Sequence, residues 1–339
     1  MSWRDLAMRA SCVVGQAGRA HGARAVHGAA AVRAVHGRTQ GGNTLDLSGV
    51  FPPITAAFDS QAKLDLGRLG ENLDKWLQKP FRGLVVHGSN GEPVLLRHEE
   101  RTRVLAAVRA RVPRDRLILA GSGCEGTYET LELTRRMADA GADAVLVVTP
   151  CFYRGRMTGP ALVHHYTQVA DGSPVPVVLY SVPGNTGLDL PLDSIVALSQ
   201  HPNVIGVKDS GGDVTKMAQI VHLTRGQDFQ VLAGSASFLY PAIASGAVGG
   251  VCALANVLGA EVCELARLSR EGRHEEAREL QLRLIRPNAA VTKRFGVAGL
   301  KRSLEWFGFY GGPCRWPLQP LEPHEEAALR ADFEADGWL

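Results

Sequence analysis

Lys208 ends a short apolar run, Asn203-Val-Ile-Gly-Val207, and the Gly211-Gly212 turn follows it, so it stands where a strand empties into a loop. An amine that loses part of its hydration among apolar neighbours supplies free amine for attack on a carbonyl carbon. The chain holds seven lysines against thirty arginines. The other six, Lys63, Lys75, Lys79, Lys216, Lys293 and Lys301, fall in polar or helix-like stretches. A strand-end lysine that merely snorkels to solvent looks the same in isolation, so its neighbours decide. Tyr180 closes the apolar run from Val175, and a phenol becomes a usable base when a cation and hydroxyls surround it. Ser89 and Asn90 sit in a glycine-flanked turn, Gly88 to Gly91, after the run Gly83–His87. Such a turn can present N–H and side-chain donors to an anion; helix capping is the ordinary use of the same residues.

These residues need a scaffold that brings distant segments together. From Leu47 onward, apolar runs of five to seven residues alternate with helix-like segments. The expected strands are 49–56, 83–87, 117–121, 144–149, 175–181, 203–208, 230–234 and 247–254, and helices are expected at 65–78, 98–111, 127–140, 159–170, 191–200, 214–224 and 237–245. Eight apolar strands with helices between them imply an α/β fold, a (β/α)8 TIM barrel. Further helices at 261–268, 274–285 and 297–306 form additional C-terminal helices, and Trp306, Phe307, Phe309 and Tyr310 read as their packing. The domain plan is therefore a leader over 1–45, a barrel over 46–258 and a helical extension over 259–339 packed on the barrel. In such a barrel the active site lies at the C-terminal ends of the strands, where Ser89, Thr149, Tyr180 and Lys208 all fall.

Composition narrows the function. The formal charge of +3 hides a leader of net +5, with six arginines and the single acid Asp5, so the body carries −2 and gives no reason to expect nucleic acid. The arginine-rich, acid-poor leader fits a mitochondrial transit peptide, hence a matrix location. No apolar run reaches the roughly 20 residues of a membrane span. Six cysteines lack CxxC spacing and no HExxH occurs, so no metal site is expected. Gly121-Ser-Gly-Cys-Glu-Gly126 matches a dinucleotide fingerprint, but the next strand ends in Thr149-Pro150 rather than in the acid that would hold a ribose.

Four segments together resemble the dihydrodipicolinate synthase and N-acetylneuraminate lyase superfamily of class I aldolases. They are Gly83-Leu-Val-Val-His-Gly-Ser-Asn-Gly-Glu92, Tyr180-x-x-Pro183-x-x-Thr186-Gly187, Gly206-Val-Lys208-Asp-Ser210, and Gly234-Ser235 before a helix. Through Thr149-Pro-Cys-x-Tyr-Arg-Gly-Arg-Met157 and Tyr180-Ser-Val-Pro-x-Asn-Thr-Gly-Leu-Asp-Leu190 the chain most resembles the mitochondrial 4-hydroxy-2-oxoglutarate aldolases of that superfamily.

That resemblance implies cleavage of a small 2-oxo acid, 4-hydroxy-2-oxoglutarate, to pyruvate and glyoxylate in a homotetramer without metal or organic cofactor. It implies an imine on Lys208, Tyr180 as proton acceptor, Ser89 in the hydroxyl relay, Ser89 and Asn90 on the carboxylate, and Ser210 and Gly234 against the substrate. Glu92 reads as a carboxylate that holds the turn. Asn185 stands where the synthases carry an arginine for their aldehyde substrate, which argues against that activity. Arg154 and Arg156 near the mouth would draw in a dianion. One position departs: Phe152 occupies the place of a relay tyrosine that reaches a neighbouring subunit, so either Tyr153 or water takes over that step of the relay, or turnover is slowed. The alternatives are a relative acting on another 2-oxo acid, as a synthase or sugar-acid lyase, and a barrel that has lost turnover and serves as a binding protein.

Overall fold

The computed structural model describes residues 45–339; the expected leader, up to Asn43 and Thr44, lies outside the described residues. Eight parallel strands follow one another: β1 (Gly49–Phe51), β2 (Gly83–Val86), β3 (Leu117–Gly121), β4 (Ala144–Val148), β5 (Val177–Ser181), β6 (Val204–Asp209), β7 (Gln230–Ala233) and β8 (Gly249–Val251). Each strand pairs with its sequence neighbour from β2 through β8, and β8 pairs with β1. Backbone bonds close the remaining gap: Arg82 N–H to Val50 O at 3.0 Å, Val85 N–H to Pro52 O at 3.0 Å and Ile54 N–H to Val85 O at 3.0 Å. The expected first strand, 49–56, is cut to three residues because Pro52 and Pro53 have no N–H to donate to a ladder.

Two cores follow from the strand period of two. In β5, Val177 and Leu179 face the helices while Val178 and Tyr180 face the barrel interior. Leu47 and Phe51 belong to that interior, and both are fully buried. The helices α1 (Leu66–Trp76), α2 (His98–Arg111), α3 (Thr127–Asp139) and α4 (Gly159–Gly172) cover the first half of the sheet. Then come a single turn, α5 (Pro183–Thr186), and α6 (Leu192–Leu198), α7 (Val214–Thr224) and α8 (Leu239–Ala244). The next helix, α9 (Gly259–Arg270), follows β8 and completes the alternation as the barrel's own eighth outer helix. The expected boundary at 258/259 thus falls one helix early, and the extension proper begins with α10 (His274–Ala289).

The extension is α10, a π-helical turn over Ala290–Arg294, α11 (Gly296–Trp306) and α12 (Pro323–Glu334), the last of which the sequence reading did not anticipate. Pro287 inside α10 cannot bond to the carbonyl of Arg283. That carbonyl instead accepts the indole N–H of Trp338 at 3.2 Å. Phe309 stacks on Trp76 of α1 at 5.5 Å, while Trp306 and Phe307 pack on Phe333 of α12. Residues 45–339 belong to one compact unit. Among the described residues, no helix is long and apolar enough to cross a membrane.

Candidate active site

Tyr180 and Lys208 are register partners on β5 and β6, so both side chains leave the sheet on the interior face at its C-terminal end. Lys208 is only 3% exposed. Its Nζ lies 3.9 Å from the centroid of the Tyr180 ring, and no ion pair joins it to a carboxylate among the described residues. The acid beside it in sequence, Asp209, is already engaged. Asp209 Oδ1 accepts the N–H of Gly211 at 2.7 Å, and Oδ2 lies 3.1 Å from Lys216 Nζ. That second approach is off the hydrogen-bonding directions, so it is a charge contact. Lys216 donates its directed bond to Asp189 at 2.7 Å, and Asp189 also accepts from Ser181 at 2.8 Å. One carboxylate–lysine network thereby ties the ends of β5 and β6 behind the reactive face.

Ser89 Oγ lies 3.3 Å from the Tyr180 hydroxyl. Burial pushes the Tyr180 phenol up, but the charge of Lys208 and hydrogen bonds with Ser89, Lys208 and Ser210 outweigh it, and the phenol sits below the usual tyrosine value. The Ser89–Gly91 segment is a short 3₁₀ turn, and α2 starts only at His98, so no helix N-terminus backs it. The turn consumes the N–H groups of Gly91 and Glu92, which leaves those of Ser89 and Asn90 as the donors it can offer. Its shape is held from both ends. His87, at φ 60°, bonds through Nε2 to Arg101 O at 2.8 Å, and burial holds its imidazole down to about 3. Glu92, at φ 52°, accepts the N–H of Arg315 at 2.7 Å and contacts Lys301 Nζ at 2.6 Å. Glu92 therefore holds the turn, in line with its reading from sequence.

Gly234 follows β7 and donates its N–H to Asp209 O at 2.7 Å. A Cβ there would lie 2.0 Å from Ser210 Oγ and 2.7 Å from Asp209 O, so only glycine lets these two strand ends approach. Ser89, Asn90, Tyr180, Lys208, Ser210 and Gly234 line a single cavity of about 700 Å³. Tyr153 is absent from that lining; it is 71% exposed, packs edge-to-face on Phe152 at 5.1 Å and faces solvent on this chain. Arg154 and Arg156 do not line the cavity either. The cavity wall that the sequence reading missed comes from the extension: Val291, Thr292, Lys293, Gly296 and Val297. Their stretch reads as an ordinary packing helix, and nothing local marks a segment more than 80 residues beyond Lys208 as part of its surroundings.

A closed parallel barrel with a lysine, a tyrosine and a serine converging at its C-terminal mouth has the layout of a (β/α)8 enzyme, and its family makes it one of the carbon–carbon lyase kind. The chain belongs to the dihydrodipicolinate synthetase family, whose model matches residues 46–336. It is 36% identical over 284 residues to a 4-hydroxy-tetrahydrodipicolinate synthase of Methanothrix thermoacetophila, covering 83% of this chain and 94% of that protein. It is 34% identical over 290 residues to a probable mitochondrial 4-hydroxy-2-oxoglutarate aldolase of Emericella nidulans, covering 84% of this chain and 93% of that one. The dihydrodipicolinate synthase of Acinetobacter baumannii, solved with pyruvate, superposes with a TM-score of 0.82 at 27% identity, covering 87% of this chain and all of that one (100%).

Proposed function

We propose that this protein is a mitochondrial class I aldolase that cleaves 4-hydroxy-2-oxoglutarate to pyruvate and glyoxylate. The observation that carries the reading is the buried Lys208 amine set against Tyr180, with Ser89 in reach of the phenol, in one cavity. Lys208 Nζ adds to the C2 ketone, and loss of water leaves a protonated imine. Tyr180, as phenolate, takes the proton of the C4 hydroxyl. The C3–C4 bond breaks, its electron pair flows into the imine to form an enamine, and glyoxylate leaves. Protonation at C3 and hydrolysis then free pyruvate and restore the amine. The Ser89-Asn90 turn holds the carboxylate next to the ketone. Neither metal nor organic cofactor is needed, since the iminium is the electron sink. A homotetramer accords with the resemblance, and in it the exposed Phe152–Tyr153 pair would meet a neighbouring subunit.

The aldolase relative from Emericella and the residues shared with that group support this substrate. A second reading, a synthase that condenses pyruvate with an aldehyde, is favoured by the synthase names of several relatives, and Asn185 in place of the expected arginine weighs against it. Pyruvate with borohydride should leave a reduced adduct on Lys208 that mass spectrometry locates; a protein without that adduct is not a class I aldolase. Comparing kcat/KM for 4-hydroxy-2-oxoglutarate with the reverse condensation of pyruvate with other aldehydes separates the two readings. Residues 1–45 fused to a reporter should bring it to mitochondria, and a diffuse cytosolic signal would refute the location.

A further inference from the structure

We propose that Lys293 holds the carboxylate at the far end of the substrate and thereby sets the preference of the site for dicarboxylate over monocarboxylate 2-oxo acids. The inference rests on the aldolase reading above. Among the described residues, the cavity around Lys208 is lined by two cations, Lys208 and Lys293, and by no aspartate or glutamate. Lys208 is committed to the imine, and the Ser89-Asn90 turn to the carboxylate beside the ketone. A 4-hydroxy-2-oxoglutarate bound in this way still carries a second negative charge, at C5, inside the cavity. Ser210 can offer that carboxylate a neutral donor, but an ammonium makes the stronger, charge-assisted bond.

Lys293 is the one extension cation facing the cavity, and its neighbours are otherwise occupied. Arg294 pairs with Asp332, Lys301 with Glu92, and Arg302 with Glu305 and Glu326. Lys293 has no ion pair or side-chain hydrogen bond among the described residues, and its side chain is exposed. The backbone presents it deliberately. A π turn winds less per residue than an α turn, so the successive residues Val291, Thr292 and Lys293 all reach the cavity. Thr292 pins the turn by donating to Asn288 O at 2.6 Å. Gly296, at φ 55°, follows the turn and lines the same cavity.

The test compares Lys293→Met, Lys293→Arg and wild type on 4-hydroxy-2-oxoglutarate and on 4-hydroxy-2-oxopentanoate, which has a methyl group in place of the distal carboxylate. Borohydride trapping of pyruvate on Lys208 runs alongside. Lys293→Met should cut the ratio of the two kcat/KM values roughly 10- to 100-fold, chiefly through KM of the dicarboxylate, the range expected for one hydrogen bond to a charged group. Lys293→Arg should restore most of that ratio, and pyruvate trapping should continue in both variants. A ratio that stays at the wild-type value, whether both substrates change together or neither changes, overturns the inference and leaves the aldolase reading standing. Wild-type protein that neither traps pyruvate nor cleaves either substrate overturns both.

Discussion

Two lysines are almost equally buried in this protein, Lys208 at 3% exposure and Lys301 at 2%, and their surroundings could hardly differ more. Lys301, on α11, is answered by an acid: Glu92 lies 2.6 Å from its Nζ. That approach is a charge contact, and the directed bonds of the pair go elsewhere, from Lys301 to Pro313 O at 2.8 Å and to Glu92 from the Arg315 N–H. The Phe58 ring covers the ammonium at 4.5 Å. Lys208 also lies on an aromatic ring, but that ring carries a hydroxyl in a chain of hydroxyls, and the acid next to it in sequence, Asp209, is matched by Lys216. A buried amine with its own carboxylate is a fixed structural charge. A buried amine from which every carboxylate has been drawn away is free to make a bond, and the contrast separates strut from nucleophile better than burial does.

The contrast breaks most sharply at Lys208. Lys208→Arg keeps the charge but cannot form the imine, so turnover should fall by about 10⁴-fold or more, with an unfolding curve close to wild type; retained turnover would remove the nucleophile assignment. Lys301→Met should do the reverse. It leaves Glu92 buried without its counter-charge, at a cost of about 3–5 kcal/mol in denaturant unfolding, while the folded protein still traps pyruvate on Lys208. Adding Glu92→Gln should recover part of that loss, and a Lys301→Met protein of wild-type stability would end the comparison. Tyr180→Phe should lower kcat by about 10²- to 10⁴-fold, the usual contribution of a positioned acid–base group, without preventing folding.

Ser89→Ala has the smallest expected effect. With Tyr180 as the base, the rate should rise with pH as its phenol deprotonates, and its surroundings hold that phenol below the usual tyrosine value. Removing the Ser89 hydroxyl takes away a hydrogen bond that favours the phenolate, so the limb should move to higher pH and the rate near neutrality should drop about threefold to tenfold. A pH profile superimposable on wild type would take Ser89 out of the relay.

The barrel was legible because eight apolar runs of strand length, separated by helix-period segments, leave few alternatives. β3, α2 and α7 occupy their expected residues, and the other ends shift by a few positions where local chemistry intervenes, as at Pro52-Pro53. Lys208 and Tyr180 were legible for the same reason, since the end of a barrel strand is a known place. Lys301 was not. It reads as one more helix lysine, and only packing against Phe58 and Glu92 shows that it is buried. Tyr153, offered as one replacement for the hydroxyl that Phe152 lacks, is exposed on this chain, and its part in a relay between subunits depends on a contact that a single chain does not contain.

The sequence by itself determined the alternation of strands and helices, the strand that bears Lys208 and the glycine turn that bears Ser89, because periodicity and turn chemistry are local properties of a chain. Tertiary structure alone decided which charges answer which. Asp209 is assigned to Lys216, Glu92 to Lys301, and Lys293 is left facing the cavity because a π turn in the extension swings it there. Those pairings join segments up to about 200 residues apart, and electrostatic partnership depends on distance in space, which no local pattern encodes.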